Sequence, residues 1–186
     1  LVLENTPLDA VFGGYRAAQP KRETRVHARL AAASDPVDAA ARARIGPSAV
    51  CSSNLAVRAD VFQAVPFEES YSGWGWEDVD WALSAAAHFK LGHIDNPADH
   101  AGLESVPALL EKFAKSGPNF AKLLQRHPGY AARPGARLAL MLRATRLGWP
   151  ARFAGAAAAR APLPDRLRIM GLKLFRAGVG AKALKS

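Results

Sequence analysis

The stretch Tyr71-Ser72-Gly73-Trp74-Gly75-Trp76-Glu77-Asp78-Val79-Asp80-Trp81 decides how this chain is read. It holds three of the four tryptophans, two glycines and three carboxylates within eleven residues. A hydrophobic core gains nothing from that density of acids, because each buried carboxylate needs a partner. Indole faces beside carboxylates suit a saccharide. The rings stack on the apolar C–H faces of a pyranose, and the acids accept hydrogen bonds from its hydroxyls.

The local pattern points the same way. Gly73 and Gly75 permit positive φ or close approach to a ligand. After Asp78, the residues Val79, Ala82, Leu83 and Ala86 fall at i, i+3, i+4 and i+7, which predicts a helix stopping near Gly92. Glu77, Asp78 and Asp80 then occupy its start, where backbone N–H groups and the helix dipole attract negative charge. A carboxylate held there can act as a general base if it comes within about 3 Å of the hydroxyl it activates. The plainer alternative is that these acids only cap the helix. The flanking Trp-Gly-Trp tips the reading towards function.

Three segments in order carry a family resemblance. They are Cys51-Ser52-Ser53-Asn54-Leu55-Ala56-Val57-Arg58-Ala59-Asp60-Val61-Phe62, then Val65-Pro66-Phe67-Glu68-Glu69-Ser70-Tyr71, then Gly73-Trp74-Gly75-Trp76-Glu77-Asp78-Val79-Asp80. Together they resemble the C-terminal half of a family 2 glycosyltransferase with a GT-A fold. They are especially similar to the galactosyltransferase-type C-terminal module. The resemblance covers about residues 9 to 128. It implies that Asp78 is the base that deprotonates the acceptor hydroxyl. It implies that Glu77 and Trp76 shape the acceptor pocket, and the residue pattern adds Trp74, Gly75 and Asn54 as expected acceptor-site residues. It also implies a histidine ligand to a divalent metal, Mn²⁺ or Mg²⁺, that holds the donor diphosphate. His100 fits that position better than His93, because it follows the expected strand and precedes a helix near Ser105. An ordinary surface histidine is the alternative for His100.

One departure matters. The family binds its nucleotide-sugar donor with an N-terminal βαβ half ending in Asp-x-Asp, and no such motif precedes the expected acceptor site. The expected fold class is therefore α/β: the C-terminal part of a GT-A fold, with the nucleotide-binding half missing and a basic helical extension added. The expected domains are 1–130, the acceptor-side half, and 131–186, the extension. Such a segment alone is not expected to catalyse transfer.

Composition sets bounds. At 186 residues the chain suffices for one domain or slightly more. Its hydrophobic content of 49% is inflated by alanine. No run of eighteen apolar residues occurs that would span a bilayer. The single Cys51 excludes an internal disulfide and a cysteine-based zinc site. Charge is divided sharply. Residues 1–130 carry 13 basic and 15 acidic side chains, whereas 131–186 carry 12 basic and one acidic, Asp165. Pro128, Gly129, Pro134 and Gly135 mark the boundary.

The remaining elements read coarsely. A short buried strand is expected over 10–15, and a basic, helical or irregular link over 21–30. A helix over 35–44 should be capped near Ser34. A buried strand over 48–57 would deliver Asn54 beneath the site, followed by a short helix over 58–65. A strand is expected near 91–95, then a helix over 106–126 interrupted at Gly117-Pro118. Its Lys112, Lys115 and Lys122 form either a solvated face or a phosphate contact. The extension reads as two helices, one lined by Leu138, Met141, Leu142, Thr145 and Trp149, the other by Leu167, Met170, Gly171 and Leu174. Basic amphipathic helices edged by Trp suit an anionic membrane surface. The bland alternative is that they pack on the rest of the chain. A nucleic-acid partner is disfavoured, for no recognisable module or interleaved aromatic series accompanies the basic tail.

Three functions follow as expectations. The first is half of an inverting glycosyltransferase that uses a nucleotide-sugar donor and a glycan or lipid-linked acceptor. It would be cytoplasmic, with peripheral attachment to the inner face of the membrane. The second is a non-catalytic carbohydrate-binding or assembly module. The third is a basic membrane-surface or nucleic-acid adaptor in which the acidic loop is only a cap.

Overall fold

The computed structural model describes residues 6–35 and 37–184, without the side chain of Ser34. The chain divides into two compact units. Among the described residues one comprises 6–19, 31–35, 37–70 and 77–103; the other comprises 20–30, 71–76 and 104–184. This division differs from the composition boundary near residue 130, because the chain visits each unit more than once. Each unit is described by itself.

The first unit is built on strand β1 (Ala10–Phe12). All three of its residues are buried, as befits a central strand covered on both faces. β1 pairs antiparallel with β3 (Leu55–Val57) and parallel with β4 (Leu91–His93), giving the order β3-β1-β4. A second ladder joins β2 (Tyr15–Ala17) in parallel to β5 (Ala98–His100). The expected strand over 48–57 is mostly two single-turn 3₁₀ segments, Pro47–Ala49 and Ser52–Asn54, with only Leu55–Val57 extended. Pro47, which lacks a backbone N–H, opens the first of these turns.

Helix α4 (Glu77–Ala86) begins where the sequence predicts, but it is rotated. Its buried residues are Asp80, Trp81, Ala82 and Ala85, not the stripe through Val79 and Leu83. Trp81 sets the rotation. It is 1% exposed, it packs between Phe62 and Phe67 at 5.5 and 5.4 Å between ring centres, and its Nε1 donates to Val65 O at 2.9 Å. The burial of one indole outweighs that of several smaller side chains. Gly92 does not stop this helix. It lies within β4, where a Cβ would meet Leu8 Cδ1 at 2.3 Å. Helix α2 (Ala39–Ile45) starts later than expected and is capped by Asp38, whose Oδ1 accepts from Ala41 N at 2.7 Å. The cap expected at Ser34 falls on a side chain outside those described. Helix α3 (Ala59–Ala64) forms as predicted.

The second unit is helical. It contains α5 (Val106–Lys115), α6 (Gly117–Arg126), α7 (Pro134–Ala144), α8 (Gly148–Arg160) and α9 (Asp165–Ala183). Helix α1 (Arg25–Ser34) contributes Val26 to its core. The break at Gly117-Pro118 occurs as predicted. Among the described residues the extension holds three α-helices, not two. The first stripe is broken after Ala144, where Arg146 takes φ +59° and Leu147 N bonds back to Leu142 O. The extra helix is α8. Its alanines are strong helix formers but leave no apolar periodicity to read.

Small residues let α8 and α9 approach unusually closely. A Cβ at Gly155 would lie 2.5 Å from Phe175 N and 2.6 Å from Gly171 O. One at Gly178 would lie 2.7 Å from Gly148 O. The core of α9 therefore runs through Gly171, Leu172 and Phe175, while Leu167 and Met170 of the expected stripe are exposed.

Candidate active site

The Trp-Gly-Trp turn belongs to the second unit, and its backbone is unusual. Gly73, Gly75 and Trp76 have φ of +84°, +80° and +84°. The left-handed region is open to glycine but costs a bulky residue about 1 kcal/mol or more. Nothing within 4 Å would obstruct a Cβ at Gly75, so φ alone demands glycine there. Asn119 at the start of α6 pins the turn. It is 2% exposed, its Oδ1 accepts from Ser72 N at 3.2 Å, and its Nδ2 donates to Gly75 O at 3.0 Å. Strain held in place by a dedicated buried amide is the pattern of a functional turn.

Both indoles have aromatic and cationic neighbours. Trp76 packs against Phe120 at 5.2 Å and meets the edge of Tyr130 at 5.9 Å. The Arg176 guanidinium lies 4.1 Å from the Trp76 ring centre and 5.8 Å from that of Trp74. Trp74 also packs on Phe113 at 5.5 Å. Each ring is half-buried, with part of its surface committed to this packing. The Trp76 Nε1–H is buried and has no acceptor among the described residues.

Asp78 and Glu77 belong to the first unit, half-buried in the first turn of α4. The Asp78 carboxylate lies within hydrogen-bonding reach of the Cys51 thiol, and its charge also acts on Tyr15. Burial, then the nearby Asp78 charge, raises the Cys51 pKa, so the group beside Asp78 is a neutral thiol. Burial, then the charge of Asp35, raises the Tyr15 pKa well above the ordinary phenol range, so Tyr15 stays a hydrogen-bond donor beside Asp35. The His100 imidazole stands against the Tyr15 ring with 5.3 Å between centres. Tyr15 thus has Asp35 and the His100 ring beside it, while Asp78 has Cys51 as its neighbour and acts on Tyr15 through its charge.

Asn54 has a clear structural task. Its Nδ2 donates to Gly14 O at 2.7 Å and to Asn96 O at 2.8 Å, tying the Gly13-Gly14 bend to the loop after β4. Beneath that bend lies Arg42, 1% exposed, donating to the carbonyls of Val37, Gly13 and Ile94. Gly14, at φ +80°, leaves room for that guanidinium; a Cβ there would lie 2.3 Å from Nη1.

The two histidines differ. Burial, then the Arg42 charge, lowers the His93 pKa and favours its neutral form. His100 ends β5 beside Asp99, which is paired with Arg16 at 2.6 Å. Among the described residues no three His, Cys, Asp or Glu side chains converge as a ligand set. His100 would supply a single imidazole.

Sequence reasoning missed Tyr15, Cys51, Asn119 and Arg176. Cys51 carried a signal, for it opens the Asn54 segment, but a lone cysteine reads as a small buried residue. The other three gave none, because their importance depends on distant parts of the chain. No family model, curated protein or solved structure was found to match the chain. Among the described residues no helix is long and apolar enough to cross a membrane.

Proposed function

We propose that this chain is the acceptor-side half of a glycosyltransferase, with Asp78 as its general base. The acceptor hydroxyl gives its proton to Asp78. The oxygen forms a bond to the anomeric carbon of the donor sugar, the bond from that carbon to the diphosphate breaks, and the nucleoside diphosphate leaves with inversion. In the first unit Glu77 is proposed to contact the acceptor, with Asn54 supporting the adjacent backbone; the proposed acceptor-binding roles of Trp74, Gly75 and Trp76 rest on the sequence motif alone. His100 is proposed as this chain's one contribution to a donor-side divalent metal.

One observation carries the reading. Asp78 and His100, both picked out by the family resemblance, both act on Tyr15, the first through its charge and the second through ring contact. The left-handed turn at Gly75-Trp76, immediately before α4, adds support, since such strain is kept where function requires it.

The test combines the chain with a donor-binding half, a panel of nucleotide-sugars and a panel of oligosaccharide acceptors. Products are read by mass spectrometry. Acceptor mass increased by one sugar, with release of nucleoside diphosphate, is the expected result. Saccharide binding without transfer under every combination would favour a non-catalytic binding module instead.

A further inference from the structure

We infer that the N-terminal end of α8 docks on an anionic lipid surface, a role that does not depend on glycosyl transfer. Nine large hydrophobic side chains are exposed among the described residues, and seven lie between positions 141 and 170. Three of them are close neighbours: Leu147, Trp149 and Phe153 are 51%, 59% and 57% exposed. Trp149 and Phe153 stand one helical turn apart on the outer side of α8, opposite the glycines that face α9. Their ring centres are 4.1 Å apart. The two rings form a single exposed wedge. Burying such rings in a membrane interface removes that area from water.

Charge selects the occupant. Arg143 and Arg146 precede the wedge, Arg160 follows it, and all three are exposed. The one acid after residue 130, Asp165, is 5% exposed and is held by Arg25 at 2.8 Å and Arg29 at 3.0 Å. Between residues 131 and 184 exposed arginines therefore flank the wedge in sequence and no exposed carboxylate does. An aromatic wedge flanked in sequence by exposed arginines matches the boundary between acyl chains and anionic headgroups. A second copy of this chain fits less well, since a two-fold contact through the wedge would set these arginines against their own counterparts. A single-stranded nucleic acid also fits less well, because rings packed on each other leave no slot between them for a base.

The experiment uses the full chain and vesicles of phosphatidylcholine, with and without phosphatidylglycerol, at low and high salt. Co-sedimentation with the anionic vesicles, weakened by salt, is expected. The double variant Trp149→Ser/Phe153→Ser should bind about tenfold or more weakly. Its thermal midpoint should stay close to that of the parent chain, because both side chains are exposed. Brominated lipid should quench the fluorescence lost in Trp149→Phe. Absence of anionic-vesicle binding, or full binding by the double variant, would overturn the inference. So would tighter binding to an RNA oligomer than to vesicles, or a concentration-dependent dimer abolished by the double variant.

Discussion

The Tyr15 ring and the His100 imidazole meet in a tilted contact, with 5.3 Å between ring centres and an angle of 56° between planes. Its hydroxyl is hydrogen-bonded to Asp35 and also feels the charge of Asp78. The ring and the hydroxyl can be separated by substitution. Tyr15→Phe should keep the ring-current shift of the His100 protons while lowering stability by about 1 kcal/mol through the lost hydrogen bond. Tyr15→Ala should abolish that shift as well. Proton NMR of His100, with chemical denaturation, checks both. A His100 shift that is the same in all three proteins would mean that the contact is not made in solution.

The close contact of α8 with α9 gives a sharper test of packing. Gly155→Ala would drive a methyl group against the backbone of Phe175 and Gly171, which cannot retreat as a flexible side chain can. Overpacking of this kind costs about 1–3 kcal/mol. Gly135→Ala in α7 is the control, for nothing lies within 4 Å of its Cβ and alanine favours the helix. Thermal unfolding should show the first variant clearly destabilised and the second unchanged or slightly more stable.

His93 predicts a pH dependence. Its folded imidazole titrates below the ordinary value of 6.5, through burial and then the charge of Arg42. As pH falls below about 6.5, the unfolded chain binds this proton before the folded chain does, so stability declines. The loss ends once the native imidazole has also protonated, and above about 6.5 His93 contributes no slope. His93→Gln should therefore flatten the acid side of the stability profile relative to the parent. Denaturation midpoints measured across that range, with the His93 titration followed by NMR, provide the check. Equal slopes in parent and variant would reject this account.

Much of the fold was legible where large side chains dominate. The buried strand Ala10–Phe12, the helix opening at Glu77 and the break at Gly117 each follow from short-range chemistry. Legibility failed where small residues or distant partners decide. The alanines of α8 give no periodic signal, yet they and the glycines allow its close approach to α9. The rotation of α4 follows from Phe62, Phe67 and Val65, which a local pattern cannot register. The candidate site shows the same limit. Asp78 stood out because its neighbours in sequence are unusual. Tyr15 and Asn119 did not, because a tyrosine after a strand and an asparagine near a helix start are ordinary until their tertiary contacts are known.

The central claim is that Asp78 removes the proton from an acceptor hydroxyl. Asp78→Asn keeps the size of the side chain and much of its hydrogen bonding while removing the base. The decisive measurement is the rate of acceptor-dependent sugar transfer by this variant, with the donor-binding half supplied and acceptor affinity followed in parallel. The account predicts a fall in turnover of about 10² or more with acceptor binding retained; undiminished turnover would contradict it.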